Sequence, residues 1–493
     1  MTGADFLQLS PAAAPVRGLT GWLADAIRAA IMDGRLRAGA SLPASRLLAG
    51  DLGVSRGVIV EAYQRLADEG LVSARPGAGT RVLGVSRPVL DPGDRPPRNQ
   101  HPGGSGGVVP PRNQQSAVGS PPPGPLLVPP GWRERAEIDL SPGVPDLSGF
   151  PRAAWIRAER LVLEQATVTE LGYGDPRGSL SLRTELAGWL ARTRGLRAGP
   201  ADIIVVTGVA QALALLARVL RARGSGEIAV EDPGSRGARD DLAYWGLRSV
   251  PVPVDEHGMR IGELAGSRVR AALLTPAHQF PTGVVLAPQR RRDLLDWAAA
   301  ADGLVVEDDY DAEFRYDRAP VPALHASAPG LVAYAGSTSK TLAPGMRLGW
   351  LIPPARLRAE LTEAKYASDL GSPALPQLVL ARLIASGELE QHIRLVRKRQ
   401  RSRRDALLRA LREHLPQARV QGIAAGLHLL ITFPGLDACD ADLAEAILRT
   451  GVLVQPLSWH RQRPGVPGFV LGYAAHTPDR LHEAARRIAR GMA

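Results

Sequence analysis

Apolar residues recur at Leu23, Ile27, Ala30 and Ile31, the three-and-four spacing of a helix face, and predict a helix from a Thr20 cap through Asp33. Ser45 is placed to cap a second helix over residues 46–51, and a tight turn, Leu52-Gly53-Val54-Ser55, leads into a third over residues 56–69. Segments 71–73 and 80–83 flank Arg75-Pro76-Gly77-Ala78-Gly79 and read as a β-hairpin. Beyond residue 134 the pattern changes: short apolar runs at 203–206, 227–230, 270–274, 303–307 and 331–335 alternate with amphipathic stretches such as 211–223 and 290–301. Strand–helix alternation of this kind predicts a doubly wound α/β sheet. Residues 376–493 mix both periods and predict a smaller α+β lobe; no internal repeat is present.

Between these regions, residues 86–131 hold 13 prolines and 8 glycines, a composition that cannot bury a core and reads as a linker. The expected organisation is therefore multidomain: 1–84 mostly helical, 85–135 linker, 136–493 α/β. No run approaches the ~18 apolar residues of a membrane span. The first residues lack the basic-then-apolar pattern of a secretory signal. A single cysteine, Cys439, excludes an intrachain disulfide and the usual cysteine zinc sites, so a cytoplasmic location is expected. The net charge of +11 permits a nucleic-acid partner. Of the 60 basic residues only three are lysine, Lys340, Lys365 and Lys398. G+C-rich coding accounts for the arginine excess but not for where those three remain.

Two helices joined by a short glycine-containing turn and followed by a hairpin form a winged helix-turn-helix, which places the start of the third helix in the major groove and lets the wing and helix termini hold phosphates. Gly53-Val54-Ser55-Arg56-Gly57 matches the GxSxG hydrolase elbow, but a helix rather than a strand precedes the serine, so the match is chance. Gly34-Arg35-Leu36, Leu42-Pro43, Ser45-Arg46, Leu52-Gly53-Val54-Ser55-Arg56, Glu61-Ala62-Tyr63 and Glu69-Gly70 together resemble the winged helix of GntR-type bacterial transcription factors. The resemblance implies DNA contacts at Ser45, Arg46, Ser55, Arg56 and Gly77. Val58 departs from it, standing where the family commonly has threonine, which is expected to alter site preference rather than abolish binding.

In the α/β region, Ser337-Thr338-Ser339-Lys340 ends a predicted strand with one of the three lysines, an arrangement suited to an imine-forming amine near a phosphate. Arg347 adds a permanent charge, and Thr207-Gly208-Val209-Ala210-Gln211 is a strand-to-helix turn whose free amides suit an anion. Glu307-Asp308-Asp309-Tyr310 places paired carboxylates at another strand end, where one could hold a pyridine nitrogen protonated. All lie at carboxyl ends of strands, where open α/β sheets bind ligands. With Tyr173-Gly174-Asp175-Pro176-Arg177-Gly178, Glu231-Asp232-Pro233-Gly234 and the segment Thr275-Pro276-Ala277-His278-Gln279-Phe280-Pro281-Thr282-Gly283, the constellation resembles a fold-type I aminotransferase, which uses pyridoxal 5′-phosphate (PLP). The resemblance implies Lys340 as the Schiff-base lysine, Asp308 at the pyridine nitrogen and Tyr310 at the ring hydroxyl. It assigns Ser337, Ser339, Arg347 and the Val209 and Ala210 amides to the phosphate, with Tyr173 reaching a neighbouring subunit's phosphate.

A winged helix linked to such a domain resembles the MocR branch of the GntR regulators, most closely its PdxR-type members, in which PLP itself is the signal. Ser235 stands where an aromatic ring usually stacks on PLP, Phe280 where aminotransferases have asparagine, and Ala475 and Gly237 where related proteins have carboxylate-binding arginines; Arg236 and Arg239 are the nearby candidates to compensate. The resemblance implies a homodimeric, PLP-responsive transcription regulator of vitamin B6 metabolism that binds promoter DNA. The alternatives are a regulator sensing an amino acid or amine through its reaction with bound PLP, and a working aminotransferase with an appended DNA-binding domain. The basic run 394–412 reads as a solvated helix face, and the scattered histidines predict no metal site.

Overall fold

A computed structural model describes residues 19–32, 35–36, 39–68, 72–75, 79–82, 128–316, 322–422 and 424–493. They fall into two compact units, one within residues 1–116 and one within 117–493. Asp33, Glu69, Leu71, Gly77, Leu83 and the linker through residue 127, on which expectations fell, lie outside the described residues.

The first unit contains α1 (Leu19–Met32), α2 (Ser45–Leu52), α3 (Arg56–Asp68), β1 (Val72–Arg75) and β2 (Gly79–Val82). Leu23 and Ile27, of the predicted apolar face of the first helix, meet Leu48, Ile59 and Leu66 in one fully buried core. Two predicted caps are corrected. Helix α1 already includes Thr20, and α2 begins at Ser45 itself, with Ala44 as its N-cap and no side-chain cap bond. The Ser45 hydroxyl is turned elsewhere: its Oγ accepts from Arg56 Nε at 3.3 Å. Gly53 closes α2 at φ +64°, and its N–H returns to the Gly50 carbonyl at 3.3 Å. Strands β1 and β2 pair antiparallel with Val72 opposite Val82. The chain before α2 joins them, Val82 N–H donating to Ala40 and Leu42 N–H to Thr80. That backbone pairing carries no side-chain periodicity, so the sequence pattern did not reveal it.

In the second unit, strand β3 (Ile138–Asp139) comes first, and the main sheet is then built from β4 (Ile204–Val206), β5 (Glu227–Asp232), β6 (Arg248–Asp255), β7 (Gly258–Met259), β8 (Ala271–Leu274), β9 (Leu304–Asp309), β10 (Val332–Ser337) and β11 (Gly349–Ile352). Among the described residues it has eight strands in the order β4-β11-β10-β9-β8-β5-β6-β7. All are parallel except β11 and the hairpin strand β7. Strands β4, β8 and β10 are buried throughout, as a sheet covered on both faces requires. Helices Val209–Ala222 and Ala355–Asp369 cover one face through Leu213, Leu216, Leu357 and Leu361. Against the other face pack Leu294 and Ala298 of the helix Pro288–Ala300, and Trp189, Val379 and Leu383 of helices Leu180–Arg194 and Ala374–Ala385. Because β11 runs backwards, Gly349 pairs with Ser337 and with Val206, which brings the residues just before it to the same edge as the carboxyl ends of β4 and β10.

The smaller lobe is confirmed as α+β, with corrected limits. Helix Ala374–Ala385 belongs to the large core, and the lobe takes up helices Glu388–His414, Asp440–Arg449 and Pro478–Met492 against the antiparallel strands β12 (Arg419–Gln421), β13 (His428–Thr432), β15 (Gln455–Pro456) and β16 (Gly468–Gly472). It also recruits β3, which pairs in parallel with β14 (Val452–Leu453) and buries Ile138 and Leu140 in the lobe's core.

Candidate cofactor site and nucleic-acid interface

Strand alternation sorts the acidic run at the end of β9. Glu307 accepts the Leu324 and His325 N–H groups at 2.9 and 3.0 Å. Asp309 accepts Arg194 Nε and the Tyr334 hydroxyl, each at 2.6 Å. Asp308, between them, instead borders a small cavity with Glu231, Ser235 and Thr275. Its Oδ1 is buried without a hydrogen-bond partner, and burial together with Asp309 and Asp311 pushes its carboxyl up to about 7. Lys340 Nζ donates to the Gly143 carbonyl at 2.6 Å. Burial lowers its amine, while Asp311 and then Asp308 oppose the fall.

The second part of the site is an anion cradle. Gly208, at φ +114°, turns β4 into helix Val209–Ala222, and the Gln211 N–H makes the first bond back to the Gly208 carbonyl. The Val209 and Ala210 amides precede that bond at the positive end of the helix dipole. A Cβ at Gly208 would lie 3.4 Å from both Nη atoms of Arg347, so the guanidinium sits over this turn, and the φ of +114° is what favours glycine there. Ser337 is buried at the end of β10 and its Oγ accepts the Ser339 N–H at 3.3 Å. Helix amides, hydroxyls and a guanidinium on one side, with a partnerless carboxylate oxygen and a partly buried amine on the other, fit a phosphorylated pyridine aldehyde.

The remaining sequence candidates separate by what they touch. Tyr173 is 93% exposed. Ser235 is the N-cap of helix Arg236–Tyr244, its Oγ accepting the Ala238 N–H at 3.2 Å. Arg239 donates to the carbonyls of Gly234, Trp459 and His460, and Arg236 pairs with Asp240, so both candidates to replace the missing carboxylate fork have partners already. Beside Ala475, the Ala474 carbonyl accepts from Arg403, which also pairs with buried Asp146 at 3.0 Å. The other lysines are accounted for: Lys365 is buried against Asp369 and Ser372, and Lys398 is exposed. Residues the sequence reading did not assign are Glu231, which accepts both the N–H and hydroxyl of Thr275, and a buried His278–Asp311 pair beside Tyr310. Glu231 and His278 lie inside stretches quoted for the resemblance, and Asp311 directly follows the Glu307–Tyr310 run, but nothing local joins His278 to it.

This carboxylate cluster sets an expected pH dependence. Burial pushes Asp308 and Glu231 up to about 7 from ordinary values of 3.8 and 4.5. Between those values and about 7 the folded chain keeps protons that the unfolded chain has released, so stability falls as pH rises through that window. Buried His325, His428 and His460, lowered by burial, contribute the opposite slope below about pH 6.5, so the readout is the difference: from about pH 5 to about pH 8 the urea midpoint of the unsubstituted chain should fall relative to that of Asp308→Asn.

In the first unit, Arg46, Ser55 and Arg56 are exposed and Ser45 is partly buried. The Ser45–Arg56 hydrogen bond brings the start of α2 and the start of α3 together. Tyr63 donates to the Pro43 carbonyl at 2.8 Å and ties the approach to α2 onto α3. The two exposed arginines at these helix starts form the candidate nucleic-acid surface.

Comparison with known proteins agrees with both units. Residues 135–488 match the model of aminotransferase class I and II, and residues 19–82 match that of the bacterial regulatory proteins, gntR family. The HTH-type pyridoxine biosynthesis transcriptional regulator PdxR of Corynebacterium glutamicum is 34% identical over 93% of this chain and 92% of its own. The probable rhizopine catabolism regulatory protein MocR of Rhizobium meliloti is 31% identical over 94% and 92%. The kynurenine aminotransferase of Pyrococcus horikoshii superposes with a TM-score of 0.67 at 28% identity, covering 72% of this chain and 90% of that one. With a winged helix-turn-helix in one unit and an aminotransferase-like sheet in the other, the chain belongs to the MocR-like branch of the GntR family of transcription regulators.

Proposed function

We propose that this regulator binds PLP in the aminotransferase-like unit and that occupancy changes its affinity for promoter DNA, the regulated genes serving vitamin B6 metabolism. The carrying observation is that the Lys340 amine and the partnerless, buried Oδ1 of Asp308 stand at one sheet edge with the Val209–Ala210 amides and Arg347. PLP bound there supplies an electrophilic aldehyde and an electron-withdrawing ring. Asp308 would accept the pyridinium N–H, Tyr310 would serve the ring hydroxyl, Lys340 would offer the amine, and Ser337, Ser339, Arg347 and the two amides would hold the phosphate. The name of the Corynebacterium relative supports B6 synthesis as the controlled process. The partnered state of Arg236 and Arg239 argues against capture of an amino-acid carboxylate, and so against both turnover as an aminotransferase and an amino-acid effector.

The domain limits proposed remain 1–84, 85–135 and 136–493. The exposure of Tyr173 supports a homodimer in which it completes the neighbour's phosphate site. No described helix is long and apolar enough to cross a membrane, in keeping with a cytoplasmic regulator.

The test is promoter-DNA affinity with and without PLP, at several salt concentrations, beside Lys340→Ala. PLP-dependent affinity in the unsubstituted chain alone is expected; affinity indifferent to PLP at every salt sinks the reading. On the DNA side Ser45, Arg46, Ser55 and Arg56 are the proposed contacts, with Gly77 outside the described residues. Arg56→Ala should weaken operator binding by about 1–3 kcal/mol if it reads a base, or lower the salt slope by about 1 if it holds a phosphate. Equilibrium titrations across salt separate the two, and an unchanged affinity and slope removes Arg56 from the interface.

A further inference from the structure

Tyr310 does not stand alone beside the site. Its phenol oxygen lies 3.1 Å from Nδ1 of His278, and that nitrogen lies 2.9 Å from Oδ2 of Asp311. The consistent proton arrangement has the Asp311 carboxylate accepting the imidazole N–H, so the phenol oxygen lies beside a nitrogen that cannot accept from it and the phenol proton is left for another acceptor. His278 and Asp311 are 4% and 2% exposed, so water does not compete for either.

The imidazole is held from several sides. Gly426, at φ +76°, lies so close that a Cβ there would come within 2.1 Å of Cε1 and 2.8 Å of Asp311 Oδ2. The Gly426 carbonyl is itself fixed by the hydroxyls of Tyr316 and Tyr473 at 2.6 and 2.5 Å. On another side stands the His428 ring, centroid 5.3 Å away, whose burial keeps it neutral. Asp311, ahead of Asp308, also opposes the fall that burial imposes on the Lys340 amine.

We propose that His278 and Asp311 are a positioning pair for Tyr310: the imidazole, fixed by the carboxylate, decides where the phenol proton points. This rests on the reading of the site as a PLP site. With the Nδ1 proton directed to Asp311, the phenol proton would be left for the ring oxygen of the cofactor rather than for the imidazole. The other ionisable groups facing the pair are Asp308, Glu231, Lys340, His428, Tyr316 and Tyr473, with Arg397 and Arg404 acting on Tyr316.

The experiment is a pH titration of the visible absorbance band of the full-length chain loaded with PLP, in unsubstituted protein and in Asp311→Asn, His278→Leu and His278→Asn. Asp311→Asn removes a negative charge that supports the Lys340 ammonium and should lower the titration midpoint by about 1 unit. His278→Leu removes a donor from that charge and should move the midpoint up. His278→Asn keeps an N–H near the Nδ1 position and should restore it; it also keeps the test open if the leucine variant does not fold. Opposite shifts with asparagine rescue support the pair. Unchanged midpoints in Asp311→Asn and His278→Asn, whatever happens to melting temperature, reduce it to a packing contact and overturn the proposal while leaving the PLP reading intact. Absence of any Lys340-dependent band in the unsubstituted chain overturns both.

Discussion

Lys340→Ala is expected to abolish the visible absorbance that PLP develops on the unsubstituted chain and to remove most of the stabilisation that PLP confers. The geometry gives no substitute amine. Lys365 is fully buried and bonded to Asp369 and Ser372, and Lys398 is exposed on the long helix Glu388–His414. Every other basic side chain, histidine apart, is an arginine, whose guanidinium stays protonated and forms no imine under these conditions. A ligand at a hundredfold excess over its Kd stabilises the folded state by about 2.7 kcal/mol, so the loss should be plain in urea or thermal unfolding. The substitution leaves the phosphate cradle in place, and weak, colourless PLP binding should persist at higher concentration. A coloured, tightly bound PLP in the Lys340→Ala chain would move the chemistry to another residue and remove the basis for reading this edge as the site.

Much of this was legible because it depends on local patterns. Five strands of the main sheet, two of its covering helices and the first helix of the first unit were written in apolar spacing, which burial against a sheet or core enforces, whereas β6 was not anticipated. Lys340, Asp308 and Arg347 were found because a rare lysine, a carboxylate run and an arginine fell near predicted strand ends. The misses have physical reasons. Strand β11 runs antiparallel within a parallel sheet, and nothing in Gly349–Ile352 distinguishes direction. Strand β3 is two residues long and pairs with β14, more than three hundred residues away. Ser45 was assigned as a cap because serine before a helix usually is one; Arg56, eleven residues on, takes its hydroxyl instead. Ser235, read only as a missing aromatic ring, turned out to cap a helix. His278 gave no local signal at all, because its partner Asp311 lies thirty-three positions away.

The alternation at the end of β9 also separates ligand chemistry from support. Asp308 faces the site, while Asp309 faces Arg194, which ends helix Leu180–Arg194 at 2% exposure with its Nε 2.6 Å from Oδ2 of Asp309. Tyr334 donates to the same oxygen, and buried Glu307 lies two residues away. Arg194→Met therefore leaves a carboxylate enclosed beside other carboxylates without its cation, and should cost about 3–5 kcal/mol of stability in urea unfolding. The double variant Arg194→Met with Asp309→Leu should recover much of that loss, since a buried pair replaced by apolar groups of similar volume is often close to neutral. The same single variant should weaken PLP binding. Asp309 already pushes the Asp308 carboxyl upward, and without Arg194 its uncompensated charge pushes further, so that Asp308 keeps its own proton and offers no carboxylate to a pyridinium. The double variant, which removes that charge, should return PLP affinity toward the unsubstituted value even if stability recovers only in part. A loss below about 1 kcal/mol in Arg194→Met, the range of exposed ion pairs, would mean that water reaches Asp309 and that the support beneath the site is softer than its burial implies.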